Sequence, residues 1–188
     1  MAADNVLFLE NMRIGFRNFS GKEGKYNRAG DRNFCVFLDP KLASEMEAEK
    51  WNVKYLKPRE EGEEPQAYLQ VTVGFNPNSR PPKIVMVTSR GKTTLDENMV
   101  ELLDWAEITM TDMALNPYDW EVNGKTGRKA YVKSLFANIY EDELDRKYID
   151  VPDSAANTLA IEAGGPSDIW GGDLEDLGET HSKKEIGF

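Results

Sequence analysis

The pattern that most limits the possible folds is an alternation of apolar and polar residues in short segments separated by glycine- and proline-rich turns. The clearest example is 67–75, whose apolar positions are Ala67, Leu69, Val71, Val73 and Phe75. From Met12 onward, 6–19 alternates in the same way. Because successive side chains of a strand point to opposite faces, this pattern predicts half-buried β-strands rather than amphipathic helices.

The other segments complete an order of six strands and two helices. The predicted strands are 6–19, 33–38, 67–75, 83–88, 107–115 and 130–140, with a short extended piece at 53–56. The predicted helices are 40–51, which has proline at its first position, and 95–105. The predicted loops are 20–31, 76–82 and 116–129, the last with Asn-Gly and Thr-Gly turn signals.

This order of elements favours a small closed barrel. One helix per strand would indicate a doubly wound parallel sheet, and that alternation is missing. An antiparallel Greek-key barrel with a helix before its fourth main strand fits better, which is the OB-fold, and the helix at 40–51 is then an insertion. Gly15 inside the first strand indicates a bulge or bend where that strand turns a corner. The expected fold class is mainly β.

The carboxyl-terminal part has a different composition from the rest. From Asp153 onward, glycine, serine, alanine and acidic residues replace the periodic apolar residues, which is typical of disorder. The sequence therefore predicts an OB-fold domain over 1–150 and a flexible acidic tail over 151–188.

Charge is distributed unevenly along the chain. The net charge is −10, and residues 141–188 contain 13 acidic and 4 basic residues, whereas residues 1–140 contain 20 acidic and 19 basic residues. A phosphate-binding protein is expected to be basic. Because most of the negative charge belongs to the tail, the nearly neutral body retains the capacity for a basic face.

Three segments of the body carry basic residues with few or no acidic ones. They are Arg13, Arg17, Lys22, Lys25, Arg28 and Arg32 in 13–32, Arg80, Lys83, Arg90 and Lys92 in 80–92, and Lys125, Arg128, Lys129 and Lys133 in 125–133. Acidic residues gather instead at 45–49, 60–64 and 97–107. This separation indicates one basic and one acidic face.

Aromatic residues occur in or beside the same segments. The candidates for base stacking are Phe19, Tyr26, Tyr68, Tyr118, Trp120 and Tyr131, whereas Phe16 has core parity and is expected to be buried. Proteins that hold single-stranded nucleic acid combine cations along the backbone with aromatic rings against the bases. The coincidence predicts a single-strand binding surface, and RNA remains open as a ligand because the contacts to a 2′-hydroxyl cannot be read from sequence.

Few residues indicate catalysis, and none indicates a cofactor or a metal. The only histidine, His181, lies in the predicted tail, and the only cysteine, Cys35, lies in an apolar run where we expect it to be buried. Gly91-Lys92-Thr93 is similar to the end of a phosphate loop, but Met86 stands where that motif requires its first glycine. No apolar run is long enough for a membrane helix, and the start lacks a leader pattern, so a cytoplasmic protein is expected.

In organisation, the basic barrel loops, the helix before strand four and the glycine-rich acidic tail ending in phenylalanine resemble the bacteriophage single-stranded DNA-binding proteins. This resemblance implies a non-enzymatic protein that binds and protects single-stranded DNA, without sequence preference, in phage replication, recombination or repair in the host cytoplasm. It also implies a tail that recruits replication or recombination proteins, with Trp170, Ile186 and Phe188 as its apolar contacts. Gly187, where proline is usual, and the interrupting Lys183-Lys184 depart from the bacterial ending.

Two other functions stay open at this stage. An OB-like interaction or structural protein would use its acidic faces and show no salt-dependent binding of oligonucleotides. A metal-dependent nuclease would use carboxylates and would show magnesium-dependent cleavage of DNA.

Overall fold

The computed structural model of the chain describes residues 5–152. The chain divides into two units, Met1–Arg146 and Lys147–Phe188, and in the described part of the second the Val151 N–H donates to the carbonyl of Tyr148 at 3.0 Å. The predicted contacts of the tail, Trp170, Ile186 and Phe188, lie outside the described residues. His181 lies outside them as well.

Strands make up most of the described chain. They are β1 (Leu7–Met12), β2 (Ile14–Asn18), β3 (Asn33–Leu38), β4 (Val53–Leu56), β5 (Gln66–Thr72), β6 (Lys83–Thr88), β7 (Gly91–Leu95), β8 (Ile108–Val122) and β9 (Lys125–Ile139). The helices are α1 (Pro40–Ala48), α2 (Leu102–Trp105) and α3 (Glu143–Lys147). None of the helices within residues 5–152 is long and apolar enough to cross a membrane.

A bent first strand closes the sheet into a barrel. The hydrogen-bonded order is β1-β8-β9-β5-β3-β2, and β1 and β2 are consecutive pieces of one strand separated at Arg13. β1 pairs with β8, β2 pairs with β3, and β5 pairs with β9 in parallel. The main strands in chain order are β1–β2, β3, β5, β8 and β9, and α2 precedes the fourth of them, β8. This is the five-stranded Greek-key barrel of the OB-fold. The predicted fold class is confirmed.

Two bulges produce the bend in the first strand. Glu10 and Asn11 together oppose one residue of β8, and Asn11 has a φ of 55° while its N–H donates to Asp112 Oδ1 at 2.8 Å. Phe16 and Arg17 together oppose one residue of β3, and Phe16 has a φ of 47°. The irregularity predicted at Gly15 therefore begins at the next residue. Because an extra residue shifts the alternation, Phe16 is 63% exposed, and its predicted burial is wrong.

The barrel interior takes the alternating apolar positions. Ala67, Leu69, Val71 and Val73 of the predicted inward set are buried, and Phe75 is half-buried. They pack with inward residues of β3 and β9, including Val36 and Leu135. Burial of one such side chain contributes about 1.5–3 kcal/mol. Cys35 is buried as predicted, on the opposite side of β3 from the core residues Phe34 and Val36.

The inserted helix α1 follows its sequence signals closely. The Asp39 carboxylate accepts the N–H of Leu42 at 2.9 Å, and Pro40 occupies the first turn, where its missing N–H costs nothing. The helix ends at Ala48, short of the predicted residue 51, because Lys50 has a φ of 66° and leads into β4.

The secondary structure after β6 differs from the prediction. Gly91–Leu95 forms β7, which pairs with β6, so the segment that contains Arg90 and Lys92 is a tight hairpin. The helix predicted over 95–105 is reduced to α2, because Asp96 accepts the N–H groups of Asn98 and Met99 and starts a turn first. The β-branched Thr93 and Thr94 favour the strand.

The predicted loop 116–129 is also wrong, since β8 and β9 continue through it as a long hairpin. Asn123 and Gly124 form its two-residue turn with φ values of 51° and 76°. Positive φ at both positions is the type I′ geometry that matches the twist of paired strands, and Asn-Gly is its preferred sequence.

Candidate nucleic-acid interface

The outer face of β3, β4 and β5 is a continuous strip of polar and aromatic side chains, which we call the polar strip. Directly opposed residues share a face, and the opposed pairs here are Asn33 with Thr72, Cys35 with Gln70, Phe37 with Tyr68 and Lys54 with Tyr68. Because their neighbours in the strands fill the core, these side chains lie on the outside of the barrel. Strands at this position and the flanking loops bind oligonucleotides in OB-folds.

A groove of 630 Å³ lies where this face meets β9 and the loop 19–32. Its floor is formed by Gln70 and Thr72, and one wall is the loop. The side chains in it that suit a nucleic acid are Tyr26, Arg32, Lys54, Phe75, Lys129 and Tyr131. We call this hollow the groove.

Hydrogen bonds shape the loop 19–32, which carries the first predicted basic segment. The Asn18 amide donates to the carbonyls of Lys22 and Asp31, both at 3.0 Å, and accepts the N–H of Lys22 at 3.0 Å. The loop is also closed by Gly30, whose N–H donates to the Gly21 carbonyl at 2.8 Å. This frame leaves Tyr26 84% exposed at the groove.

Two aromatic groups border the groove on opposite sides. Tyr131 lies beside Thr72 in the parallel pairing of β9 with β5, and its ring meets that of Tyr118 edge to face with centroids 5.9 Å apart. Across the groove, the Arg32 guanidinium lies 5.4 Å from the ring centroid of Phe75. Rings at such positions offer flat surfaces on which bases stack.

The cations of the groove differ in how much of their charge is already paired. Arg32 forms an ion pair with Glu97 at 3.1 Å. Lys54 Nζ donates to Gln70 Oε1 at 3.3 Å, a neutral partner, and Lys129 is exposed on the groove face of β9. Lys54 and Lys129 are thus the cations best placed to meet phosphates, since phosphate contacts need accessible charge.

Arg128 and Lys129 are adjacent residues of the β8–β9 hairpin, and their side chains face opposite ways. Arg128 is paired with Asp119, with Nε 2.7 Å from Oδ1, and its guanidinium lies 5.4 Å from the Trp51 ring centroid. The Arg128 hydrogen bond lowers the pKa of the Asp119 carboxyl. Arg128 borders a different hollow, of 720 Å³, whereas Lys129 lines the groove; the nucleic-acid contacts predicted for both stay predictions.

Trp120 lies in the same second hollow rather than in the groove. Its ring rests on Gly127, where an added Cβ would lie 2.6 Å from Trp120 Cζ2 and from Asn52 Oδ1. Glycine is therefore required at this point of the hairpin, and Trp120 packs where it was predicted to stack on a base.

Phe19 and Arg17, two further predicted contacts, support the fold and do not line the groove. Phe19 is 0% exposed and stacks on Phe34 with centroids 5.3 Å apart. Arg17 Nη1 donates to the carbonyls of Leu103 and Ala106 at 2.8 and 2.6 Å, which fixes the end of α2 against β2.

The β6–β7 hairpin places its basic residues away from the groove. Lys92 pairs with Val87, which pairs with Asn138, seven residues along β9 from Tyr131. At the rise of a strand this separation is about 23 Å. Arg90 lies at the turn of the same hairpin, so neither Arg90 nor Lys92 is brought to the groove.

The remaining predicted residues lie on the surface around the barrel. Lys25 and Arg28 are exposed on the loop 19–32, and Lys22 lies over Trp105 at 5.5 Å. Lys125 and Tyr118 lie on the hairpin, Lys133 on β9, Tyr68 on the polar strip, Arg80 in the turn 76–82, Lys83 over Phe136, and Arg13 over Phe37.

The residues that the sequence prediction missed are Lys54, Phe75 and the polar side chains of the floor. Lys54 lies in 53–56, where no run of basic residues draws attention to it. The one available signal was its single charge within the strand Val-Lys-Tyr-Leu, since an edge strand presents such a residue outward.

The sequence matches, over residues 2–182, the family described as "Putative phage ssDNA-binding domain". The chain belongs to this family. The phage single-stranded DNA-binding function predicted from the sequence is thereby confirmed. No curated protein matches the sequence.

Solved structures similar to this member of the family include proteins of two phages. The C-terminal truncation of the single-stranded DNA-binding protein from bacteriophage Enc34 is 10% identical, over 73% of this chain and 87% of that one, with a TM-score of 0.46. The same Enc34 protein in complex with single-stranded DNA is 8% identical, over 73% and 88%, also at 0.46. The single-stranded DNA-binding protein gp2.5 of bacteriophage T7 is 10% identical, over 81% and 97%, at 0.37.

Proposed function

We propose that single-stranded DNA lies in the groove, with phosphates against Lys54 and Lys129 and bases against Tyr26, Phe75 and Tyr131. The observation that carries this proposal is the parallel pairing of β5 with β9, which brings Tyr131 and Lys129 of the hairpin beside the polar strip of β5. Cations and exposed rings then occur side by side, as binding of single strands requires.

The floor of the groove supports binding without strict sequence preference. Gln70 and Thr72 present short or flexible polar groups rather than a rigid set of donors and acceptors. Stacking accepts every base because each base has a π-face. The protein protects the strand by covering its bases in phage replication, recombination or repair, and acts by binding rather than by catalysis in the host cytoplasm.

We extend the proposal to the tail, residues 151–188, as an arm separate from the binding domain 1–150. Its acidic residues compete with DNA phosphates for the cations of the groove, because carboxylates and phosphates are both negatively charged and are attracted to the same basic side chains. Trp170, Ile186 and Phe188 contact replication or recombination proteins. The composition of the tail supports this role.

Fluorescence anisotropy with labelled single- and double-stranded DNA and RNA of equal length, at two salt concentrations, tests the proposed ligand. We expect single-stranded DNA to bind more tightly than duplex, with affinity falling as salt rises. A double variant Lys129→Ala, Tyr131→Ala should lose most of this affinity, and Lys92→Ala, an exposed lysine at the far end of the barrel, should keep it.

Three outcomes would contradict the proposal. Equal affinity of the double variant and the Lys92→Ala control would place the DNA elsewhere. Absence of salt-dependent binding to any oligonucleotide would favour the interaction protein. Magnesium-dependent cleavage of the labelled DNA would favour the nuclease.

A further inference from the structure

An apolar ring is held in water at the second bulge of the first strand. Phe16 is 63% exposed although its backbone has a φ of 47°, in the left-handed region that non-glycine residues avoid. Exposure of a phenylalanine and a left-handed backbone both cost free energy. Such an arrangement is retained where the exposed side chain has a use.

The Phe16 ring is part of an ordered cluster. It meets the Phe37 ring edge to face, with centroids 6.1 Å apart and planes at 64°. The Phe37 ring lies over Gly15, where an added Cβ would come within 2.7 Å of Phe37 Cε2, so glycine leaves the space that this ring occupies. The cluster lies on the outer face, because Phe37 is opposed to Tyr68 of the polar strip.

A cation completes the cluster. The Arg13 guanidinium lies 5.6 Å from the ring centroid of Phe37, beside a hollow of 360 Å³ lined in part by Arg13, Phe37 and Gln66. Arg13 itself is exposed. An exposed ring next to an exposed guanidinium has the chemistry of a nucleotide subsite, with the base on the ring and the phosphate on the cation.

We propose that Phe16, Phe37 and Arg13 form a second stacking platform that binds the same DNA strand after it leaves the groove. This inference rests on the proposed function of the groove and adds a site beyond it. Tyr68 lies between the two sites on the polar strip and provides a path for the strand. Phe16 and Arg13 of the platform lie on the first strand of the barrel and Phe37 lies on β3, whereas the groove aromatics lie on the loop 19–32, β9 and the segment after β5.

The positions of the strands give the spacing of the two sites. Phe37 is opposed to Tyr68 of β5, and Thr72, four residues further, is paired with Tyr131 of β9. Phe37 and Tyr131 are thus separated by four residues along a strand and two spacings across the sheet, which corresponds to about 16 Å. This distance spans roughly five nucleotides at the ~3.4 Å rise of a stacked strand, and fewer when the strand is extended. A short oligonucleotide therefore fills the groove alone, and a longer one reaches the platform.

The test is a length series of oligo-dT from about 4 to about 16 nucleotides, the range of OB-fold site sizes, bound to the full chain. We expect the wild-type affinity to rise in two steps. Phe16→Ala should abolish the second step, so that long oligonucleotides bind roughly tenfold to a hundredfold more weakly than to the wild type. The affinity for the shortest oligonucleotides should not change, and Phe16→Tyr should restore the second step.

Phe8 is the matched control, because it is 73% exposed and lies on β1 opposite Ala114 of β8, away from the polar strip. Phe8→Ala should bind every length as the wild type does. Equal affinity of Phe16→Ala and wild type at all lengths would overturn the platform and leave the groove intact. Equal weakening of Phe16→Ala at all lengths would show that Phe16 supports the groove and would also overturn the platform. If the wild type binds neither the shortest nor the longest oligonucleotides, the result would instead contradict the proposed function.

Discussion

Thr72 of β5 and Tyr131 of β9 are neighbours in parallel register. Their pairing joins a strand near the middle of the sequence to the hairpin near its end. The polar floor of the groove and its aromatic wall thus belong to one hydrogen-bonded sheet. The rigid contact holds the Tyr131 ring at the edge of the floor, where a base can stack without reordering the backbone.

We expect Tyr131→Ala to weaken binding of oligo-dT by the free energy of about one stacked base, roughly 1–3 kcal/mol. Tyr131→Phe should bind like the wild type, because the ring is what contacts the base. Anisotropy titrations measure the affinities, and thermal unfolding shows whether the loss of the contact with Tyr118 alters the fold. Weak binding by Tyr131→Phe would assign the role to the hydroxyl.

Lys54→Ala and Lys129→Ala should each make the salt dependence of binding shallower. Each phosphate contact on a single strand adds about 0.7 to the slope of log K against log salt. The slope should fall by about this amount for each variant and remain unchanged for Lys92→Ala, which lies at the far end of β6 and β7. Unchanged slopes in all three variants would exclude both lysines from phosphate contact.

The fold was largely predictable because strand periodicity survives local irregularity. The six predicted strands and the first helix are present, and the core positions of 67–75 have the expected parity. One error arises where an extra residue changes the register. Phe16 has core parity in the sequence, and only the opposing residue of β3 reveals that the bulge turns it outward.

Arg17→Ala should destabilise the protein without changing the salt dependence of DNA binding. Hydrogen bonds to charged groups contribute about 1.5–3 kcal/mol each, and Arg17 makes two of them to the end of α2. Urea unfolding should show a loss of about 2 kcal/mol or more. Normal stability combined with a shallower salt slope would return Arg17 to the phosphate contacts.

The site was less predictable than the fold, because single residues within one basic segment face different ways. Arg128 and Lys129 are adjacent, yet one pairs with Asp119 and the other enters the groove. Arg90 and Lys92 are removed from the groove by the pairing of β6 with β9, a contact between distant parts of the chain. Charge density along the sequence reports neither register nor distance.

Cys35 should report occupancy of the groove face through its reactivity. Burial raises the pKa of its thiol above the ordinary value of 9.0, while the charge of Lys54 opposes that change. Alkylation should therefore be slow at neutral pH, slower than for an exposed thiol, and accelerate as the pH rises, because the thiolate is the nucleophile. Bound oligo-dT should slow it further, since Cys35 is opposed to Gln70.

Mass spectrometry follows this reaction at a single site, because the chain contains one cysteine. The unfolded chain serves as the control and should react at the ordinary rate with or without oligo-dT. Equal rates for the folded protein in the presence and absence of DNA would place the strand away from β3.

Removal of the tail, residues 151–188, should tighten binding of oligo-dT at low salt. The tail carries most of the net negative charge and competes with phosphates, so the difference should shrink at high salt as screening increases. A full-length variant with the tail acids changed to amides should behave like the shortened chain. Weaker or unchanged binding by both would contradict the competition.

The groove is a half-open hollow lined by strand residues such as Gln70 and Thr72 and by residues of the loop 19–32. A strand therefore enters it sideways rather than by threading. We therefore expect the protein to need no free end and to bind circular single strands and gaps within a duplex as well as linear oligonucleotides.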